Sequence, residues 1–196
     1  MIIGLCGNQG AGKDTVGDIL ISDYGFIKLT FASTLKDIVS VLFSWPRDLL
    51  EGITETSRVW RETTDDFWSE KTGIANFTPR KALQIIGTDL FRIHFYNDIW
   101  ANIVENKINI ILKNNSNANI VVTDCRFSNE INIIKKFPNS HIITIVRNSN
   151  NNLHSLSHSS EAEWVNYNFD DVLQNDNSID ELKINLKNIL QNKFGK

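Results

Sequence analysis

Cysteine, proline and methionine are scarce in this chain, with two, three and one among 196 residues. Cys6 and Cys125 form no C-x-x-C pair and stand at no ligand spacing from a histidine, which argues against a disulfide framework and a structural zinc site. Both read as core thiols beside strands. No run of about eighteen apolar residues is present, so no segment is long enough to cross a bilayer as a helix. The N-terminus shows neither the basic segment nor the longer apolar segment of a secretion signal. The expectation is a soluble, cytoplasmic protein with no membrane partner. An excess of positive charge is missing too: the formal net charge is −3 and the pI about 5.8. A protein that mainly grips a nucleic-acid backbone carries a basic footprint instead, so no nucleic-acid partner is expected. None of His94, His141, His154 or His158 has a serine, cysteine or carboxylate at a spacing that announces a catalytic pair, and no catalytic histidine is assigned. No internal repeat is visible.

The most informative feature present is Gly7-Asn8-Gln9-Gly10-Ala11-Gly12-Lys13, a G-x-x-x-x-G-K loop. It directly follows an apolar strand, Ile2 to Cys6, and precedes a helix marked by Val16, Ile19 and Leu20 at helical spacing. Glycines let the backbone curl so that successive N–H groups point inward. The helix adds its positive end, and Lys13 adds a mobile charge for the outer phosphates. The loop therefore points to a nucleoside triphosphate, held by the segment Gly7 to Thr15. The hydroxyl residue that commonly follows the lysine is replaced by Asp14, with Thr15 next. A carboxylate near a triphosphate repels it unless a cation lies between, so one reading has Asp14 facing magnesium or its water shell. The other makes Asp14 a first-turn carboxylate favoured by the helix dipole, with Thr15 supplying any metal contact.

A chain of 196 residues can bury about 70% of its unfolded surface, enough for one domain and short for two. Phe26 to Thr30 reads as a second strand. Leu35, Ile38, Val39, Leu42 and Phe43 then follow an amphipathic helical pattern. Ile120 to Thr123 and Ile142 to Val146 are the apolar, β-branched runs that parallel strands buried on both faces require. Between them Ser128 caps a helix carrying Ile131, Ile134 and Phe137. A last strand at Asp171 to Gln174 precedes a helix opened by Ser178 with Glu181 as a capping box. The layout is α/β and doubly wound. Residues 45–114 do not fit a simple crossover and read as a helical insertion: helical from Pro79, broken near Gly87, then one long helix from Asp89 with Leu90, Ile93, Trp100, Ala101, Val104, Ile108 and Ile111 on one face. The asparagine clusters at 114–119 and 148–152 read as polar loops.

In open α/β sheets ligands collect beyond the carboxyl ends of the strands. Thr123-Asp124-Cys125-Arg126 occupies such a place. Arg126 suits two phosphate oxygens at once, Asp124 either orients a magnesium water or anchors the turn, and Arg147 follows another strand by the same logic. The insertion interleaves Arg58, Arg61, Arg80 and Arg92 with Trp60, Phe67, Trp68 and Phe91. Guanidinium groups that take a phosphate and rings that stack on a base suit a nucleotide. A single tryptophan more often packs in a core, and Arg61 and Arg80 have a surface carboxylate as the alternative partner. The segment His158-Ser159-Ser160-Glu161 either closes over a ligand or is an ordinary helix start at Ser160.

The loop ending Gly12-Lys13-Asp14-Thr15, the segment Arg80-Lys81-Ala82-Leu83-Gln84-Ile85-Ile86-Gly87-Thr88-Asp89-Leu90, the strand ending Thr123-Asp124-Cys125-Arg126 and the later Glu161 together resemble the deoxynucleoside monophosphate kinases of tailed phages and large DNA viruses. The likeness spans nearly the whole chain. It implies a three-layer P-loop kinase fold with a helical acceptor-binding insertion, a single domain over 1–196, a homodimer, and magnesium-dependent transfer of the γ-phosphoryl group of ATP to a deoxynucleoside monophosphate. On this expectation Lys13, Arg126 and Asp14 are catalytic. Arg58, Arg61, Trp68, Arg80, Asp89 and Arg126 bind the acceptor, and Asp14, Thr15 and Asp124 are the magnesium candidates. Two other readings remain open: a kinase of another small phosphate ester, such as phosphomevalonate, and an ATP-binding regulatory protein with no metabolite kinase activity.

Overall fold

A computed structural model describes residues 1–147 and 167–195. His154, His158, Ser160 and Glu161 lie outside the described residues. The chain divides into two compact units, Met1–Phe31 with Ala101–Lys196, and Ala32–Trp100.

In the first unit β1 (Ile2–Cys6), β2 (Ile27–Leu29), β3 (Ile120–Val122), β4 (Ser140–Val146) and β5 (Asp171–Gln174) form one parallel sheet in the order β2-β3-β1-β4-β5. The central strand β1 pairs Gly4 with Val122 of β3 on one side and with Ile142 of β4 on the other. Every residue of β1 and β3 is buried, and so are five of the seven in β4. This is why these strands read as unbroken apolar runs rather than alternating ones. On one face Ile3, Leu5, Val121, Ile143, Ile145 and Leu173 pack with Val16, Ile19 and Leu20 of α1 (Lys13–Tyr24) and with Leu182, Leu186 and Leu190 of α8 (Ile179–Phe194). On the other face a Cβ on Gly4 would meet Ile142 and Cys125, and Ile134 of α7 (Ser128–Lys135), at 2.8–3.2 Å, so only glycine admits such close packing there. Helices therefore cover both faces, as a doubly wound sheet requires.

At the amino ends of β4 and β5, His141 Nε2 lies 2.5 Å from Asp171 Oδ2, while Asp170 accepts the Ile142 amide at 2.7 Å and the Lys135 ammonium. Burial pushes the Asp170 carboxyl up, but Lys135 and the Ile142 amide outweigh it and hold it below the ordinary value.

The second unit contains α2 (Ala32–Phe43), a 3-10 turn at Leu49–Glu51, α3 (Glu55–Glu62), α4 (Asp66–Thr72), α5 (Pro79–Gln84) and a π-helix at Ile85–Ile93. Its core is Val39, Trp45, Leu50, Phe77, Ala82 and Ile86, with Phe43, Trp60 and Trp68 packed against it. Phe43 stacks on Trp45 at 4.5 Å between ring centres. The Trp45 indole N–H donates to Asp65, whose other oxygen caps α4 through the Trp68 amide. The 3-10 turn is tied to α2 by Glu51, which accepts from Lys36 at 2.5 Å and also from Arg47.

Three local expectations need correction. The helix does not break at Gly87: α5 continues directly into the π-helix, where Gly87 is buried and its carbonyl accepts the Trp100 indole N–H at 2.9 Å. Nor does one helix run from Asp89. The π-helix ends at Ile93, leaving Leu90 and Ile93 51% and 66% exposed, and α6 (Ile99–Asn114) starts afresh with Trp100, Ala101, Val104 and Ile108 buried. Bonds of π type, His94 N–H to Asp89 O and Tyr96 N–H to Phe91 O, shift the side-chain phase, so the 3.6-residue pattern fails across this stretch. Lastly, Leu42 is 56% exposed, because apolar residues wrap around more of α2 than one face and only Val39 is fully covered.

The depressed Asp170 pKa has a stability consequence with a definite sign. Its contribution is fully present above the unfolded carboxylate value of about 4 and is lost as pH falls through the lower folded value. Asp170→Asn is expected to lower stability at pH 6 and to flatten the loss between about pH 4 and pH 2 in urea titrations. An acid limb as steep as that of the wild type would contradict the assignment.

Candidate active site at the carboxyl end of the sheet

The glycine-rich loop begins where β1 stops. Gly7 has φ +140°, and a Cβ there would lie 2.6 Å from the Ile145 carbonyl oxygen of β4. Gly12, at φ +104°, is the residue before α1, and a Cβ on it would strike the Asn175 amide at 2.3 Å. That amide, just past β5, donates to the Ala11 carbonyl at 2.8 Å, and the Asn175 backbone N–H donates to Val146 at 2.8 Å. The loop is thus held from β4 and β5. Asn8, Gln9 and Gly10 are exposed and Ala11 is buried beneath them.

Lys13, the first residue of α1, folds its ammonium back to donate to the Gly7 and Asn8 carbonyls at 2.7 and 2.9 Å. Its pKa is lowered, first by burial and then by the Arg126 guanidinium, while Asp14, Asp124 and Cys6 oppose the shift. The first unit therefore brings Arg126, Asp14 and Asp124 within electrostatic reach of Lys13, two cations and two carboxylates from the start of α1 and the loop that follows β3. Asp14 stands in the first turn of α1 with its side chain 74% exposed and Lys28 Nζ 3.5 Å away. Thr15 is half-buried beside it. Asp124 accepts the Phe31 amide at 2.8 Å and so fastens the turn after β2 to the end of β3.

Arg126 projects to solvent from a loop fixed by Glu130. This glutamate, 4% exposed, accepts the Arg126 and Phe127 amides at 2.8 and 3.1 Å. Glu130 thus satisfies the amides at the start of α7; Ser128, expected as the cap, is its exposed first residue. Cys125 beneath is fully buried, its thiol pushed well up by burial and by contact with Cys6. Arg147, directly after β4, is exposed.

In the second unit the arginines already have partners. Arg80 pairs with Glu62 at 2.9 Å, Arg58 donates to Gly52 O at 3.3 Å, and Arg61 lies over the Gly52 turn with a 3.4 Å bond to Glu51 O. Trp68 is half-buried, edge-on to Phe43 at 5.0 Å and to Phe67 at 5.1 Å. Asp89 is exposed on the π-helix.

Asn175, Glu130 and Lys28 escaped the sequence reading. Asn175 lay in a polar stretch with no motif. Glu130 does carry a signal, a glutamate three residues after Phe127, but Phe127 is no capping residue and masks the pattern. Lys28 touches Asp14 and Asp18 only because β2 is brought to α1 by the fold.

A glycine loop and lysine after β1, in a parallel sheet of order 2-3-1-4-5 with helices on both faces, define the P-loop kinase fold. The protein TT1252 of Thermus thermophilus has a similar fold, with a TM-score of 0.52, 17% identity, and coverage of 98% of this chain and 97% of that one. Residues 53–186 match the deoxynucleotide monophosphate kinase family model. An Acanthamoeba polyphaga mimivirus protein provisionally named a deoxynucleotide monophosphate kinase is 33% identical over 189 residues, covering 92% of this chain and 91% of its own length. The chain belongs to the deoxynucleotide monophosphate kinase family and is a nucleotide kinase.

Gly7→Ala should retain the fold by circular dichroism yet lose about 1–3 kcal/mol in urea unfolding, since the new methyl meets a carbonyl at 2.6 Å in a conformation that disfavours side chains. Unchanged stability would show that the loop is not pinned against β4.

Proposed function

We propose that this nucleotide kinase transfers the γ-phosphoryl group of ATP to a deoxynucleoside monophosphate. The observation that carries the reading is the juxtaposition of Lys13 and Arg126. The Arg126 guanidinium, after burial, helps to lower the Lys13 pKa, and a partly buried cation that feels a second one is unfavourable until an anion joins them. A triphosphate held by the Gly7–Lys13 amides supplies that anion. Lys13, on a flexible stem, then turns from the Gly7 and Asn8 carbonyls toward the outer phosphates, and Arg126 presents a planar fork to phosphoryl oxygens. Asn175 and the Ile145 carbonyl keep the loop from relaxing.

The acceptor needs no general base, because a phosphate monoester has a second pKa of about 6 and is largely a dianion at pH 7. The residues instead face repulsion between donor and acceptor phosphates, which positive charge and in-line positioning overcome. Asp14, Thr15 and Asp124 offer hard oxygen donors, and both carboxylates are felt by Lys13, so the set suits magnesium. When bound, magnesium supplies charge neutralisation on the phosphates. In the second unit, Arg58, Arg61, Arg80, Trp68 and Asp89 are proposed to recognise the acceptor. The Arg80–Glu62 pair would exchange for a phosphate at little cost, being a surface ion pair. The assembly proposed is a homodimer and the setting the cytoplasm, on the family resemblance. No helix of the described residues is long and apolar enough to cross a membrane.

The test is ADP release with each deoxy- and ribonucleoside monophosphate, and with phosphomevalonate, in turn. Deoxynucleoside monophosphates should be converted to diphosphates one for one with ADP. Lys13→Ala should cut kcat by about 100-fold or more with the fold retained. Arg126→Ala should lose a comparable factor with little change in Tm, as its guanidinium is exposed. Slow ATP turnover indifferent to every monophosphate would sink the reading, as would wild-type rates for Lys13→Ala.

A further inference from the structure

The second unit contains one local conformation that its sequence does not account for. A π-helix of nine residues, Ile85–Ile93, is long for an element that normally appears as a single widened turn. Its bonds run from the His94 amide to Asp89 O at 3.2 Å and from the Tyr96 amide to Phe91 O at 2.7 Å. The wider turn packs its backbone less well than an α-helix does, and such segments persist only where surrounding structure over-determines them.

The over-determining contacts converge on Gly87. Its carbonyl accepts the Trp100 indole N–H at 2.9 Å in a fully buried bond, and Leu35 Cδ2 sits 2.6 Å from where a Cβ would be. The Trp100 ring, 6% exposed, packs on Phe91 at 5.2 Å, and Phe91 in turn meets Phe95 edge-on at 6.1 Å. An indole has one N–H and nowhere else to spend it in an apolar site. The bond therefore fixes where along the helix Gly87 stops, and with it the direction in which the next residues, Thr88 and Asp89, face solvent. Trp100 is outside the segment it restrains, so it acts on these residues only through the backbone.

We propose that Trp100 is a positioning residue for acceptor recognition: its N–H bond to Gly87 holds the π-helix in register and so presents Thr88 and Asp89 to the deoxynucleoside monophosphate. This rests on the reading that the second unit recognises the acceptor. A residue of this kind changes the acceptor KM, leaves the ATP KM alone, and is not replaced by a ring of similar size that lacks the donor.

The experiment compares the whole protein with Trp100→Phe, which keeps an aromatic ring and deletes the N–H, and with Gly87→Ala, which crowds Leu35 from the other side. Losing the bond should raise the acceptor KM by about two- to tenfold. The ATP KM and kcat should stay within about twofold, and His94 and Tyr96 amide hydrogen exchange should accelerate by about the same factor as the acceptor KM. Gly87→Ala should show the same pattern and be partly rescued by Leu35→Ala, which vacates the space. Unchanged exchange and unchanged KM in Trp100→Phe overturn the proposal. So does a uniform loss in kcat and both KM values with a fallen Tm, which is what a merely structural tryptophan would give. If the wild type phosphorylates no deoxynucleoside monophosphate, the reading of the reaction fails, and amide exchange alone decides whether Trp100 holds the π-helix.

Discussion

A turn that only glycine can make, wedged at the end of the central strand, is the constraint from which the site follows. β1 is paired on both sides by parallel strands, so its carboxyl end lies level with those of β3 and β4, and whatever follows each strand emerges on the same rim. Gly7 turns the chain there against the Ile145 carbonyl, and Asn175 closes the other side through Ala11. The loop amides are ordered by strand pairing and close packing, not by their own hydrogen bonds alone. Preorganisation of this kind is what makes backbone dipoles effective toward an anion.

Charge is arranged around that rim with some internal conflict. Arg126 works against the Lys13 charge, Asp14 and Asp124 support it, and Glu130 spends a buried carboxylate on the Arg126 and Phe127 amides. A structure selected for stability alone would separate the cations. Their proximity is rational for a protein that binds polyanions, since the ligand removes the repulsion that its absence leaves uncompensated.

The legibility of this chain in its sequence varies with how local the physics is. The glycine loop, the buried strands and α8 with its Ser178 cap are set by neighbours in the chain, and their reading agrees with the structure. The family is legible too: the match to its model over residues 53–186 includes Gln84 to Asp89, and the mimivirus relative is similar over 92% of the chain. Long-range contacts were not: Asn175 meets Ala11 across 164 residues, Asp124 meets Phe31 across 93. The π-helix defeated periodicity outright. Leu90 and Ile93 match a helical stripe that a shift to i→i+5 bonding turns toward solvent, and Trp100, whose indole N–H meets the Gly87 carbonyl, lies beyond the segment's end. Aromatic rings in the second unit are ambiguous in sequence for a related reason, since Trp68 packs against a core and is still only half-buried.

The claim on which the account stands is that the amides following β1 close around a triphosphate. Titrating 15N-labelled protein with a non-hydrolysable ATP analogue and magnesium, and following the amide resonances of Asn8 to Lys13, tests it directly. The account predicts that these resonances move together and saturate with one ligand per chain, with the Lys13 ammonium leaving the Gly7 and Asn8 carbonyls. Saturable binding that leaves the Asn8 to Lys13 amides where they were would contradict it.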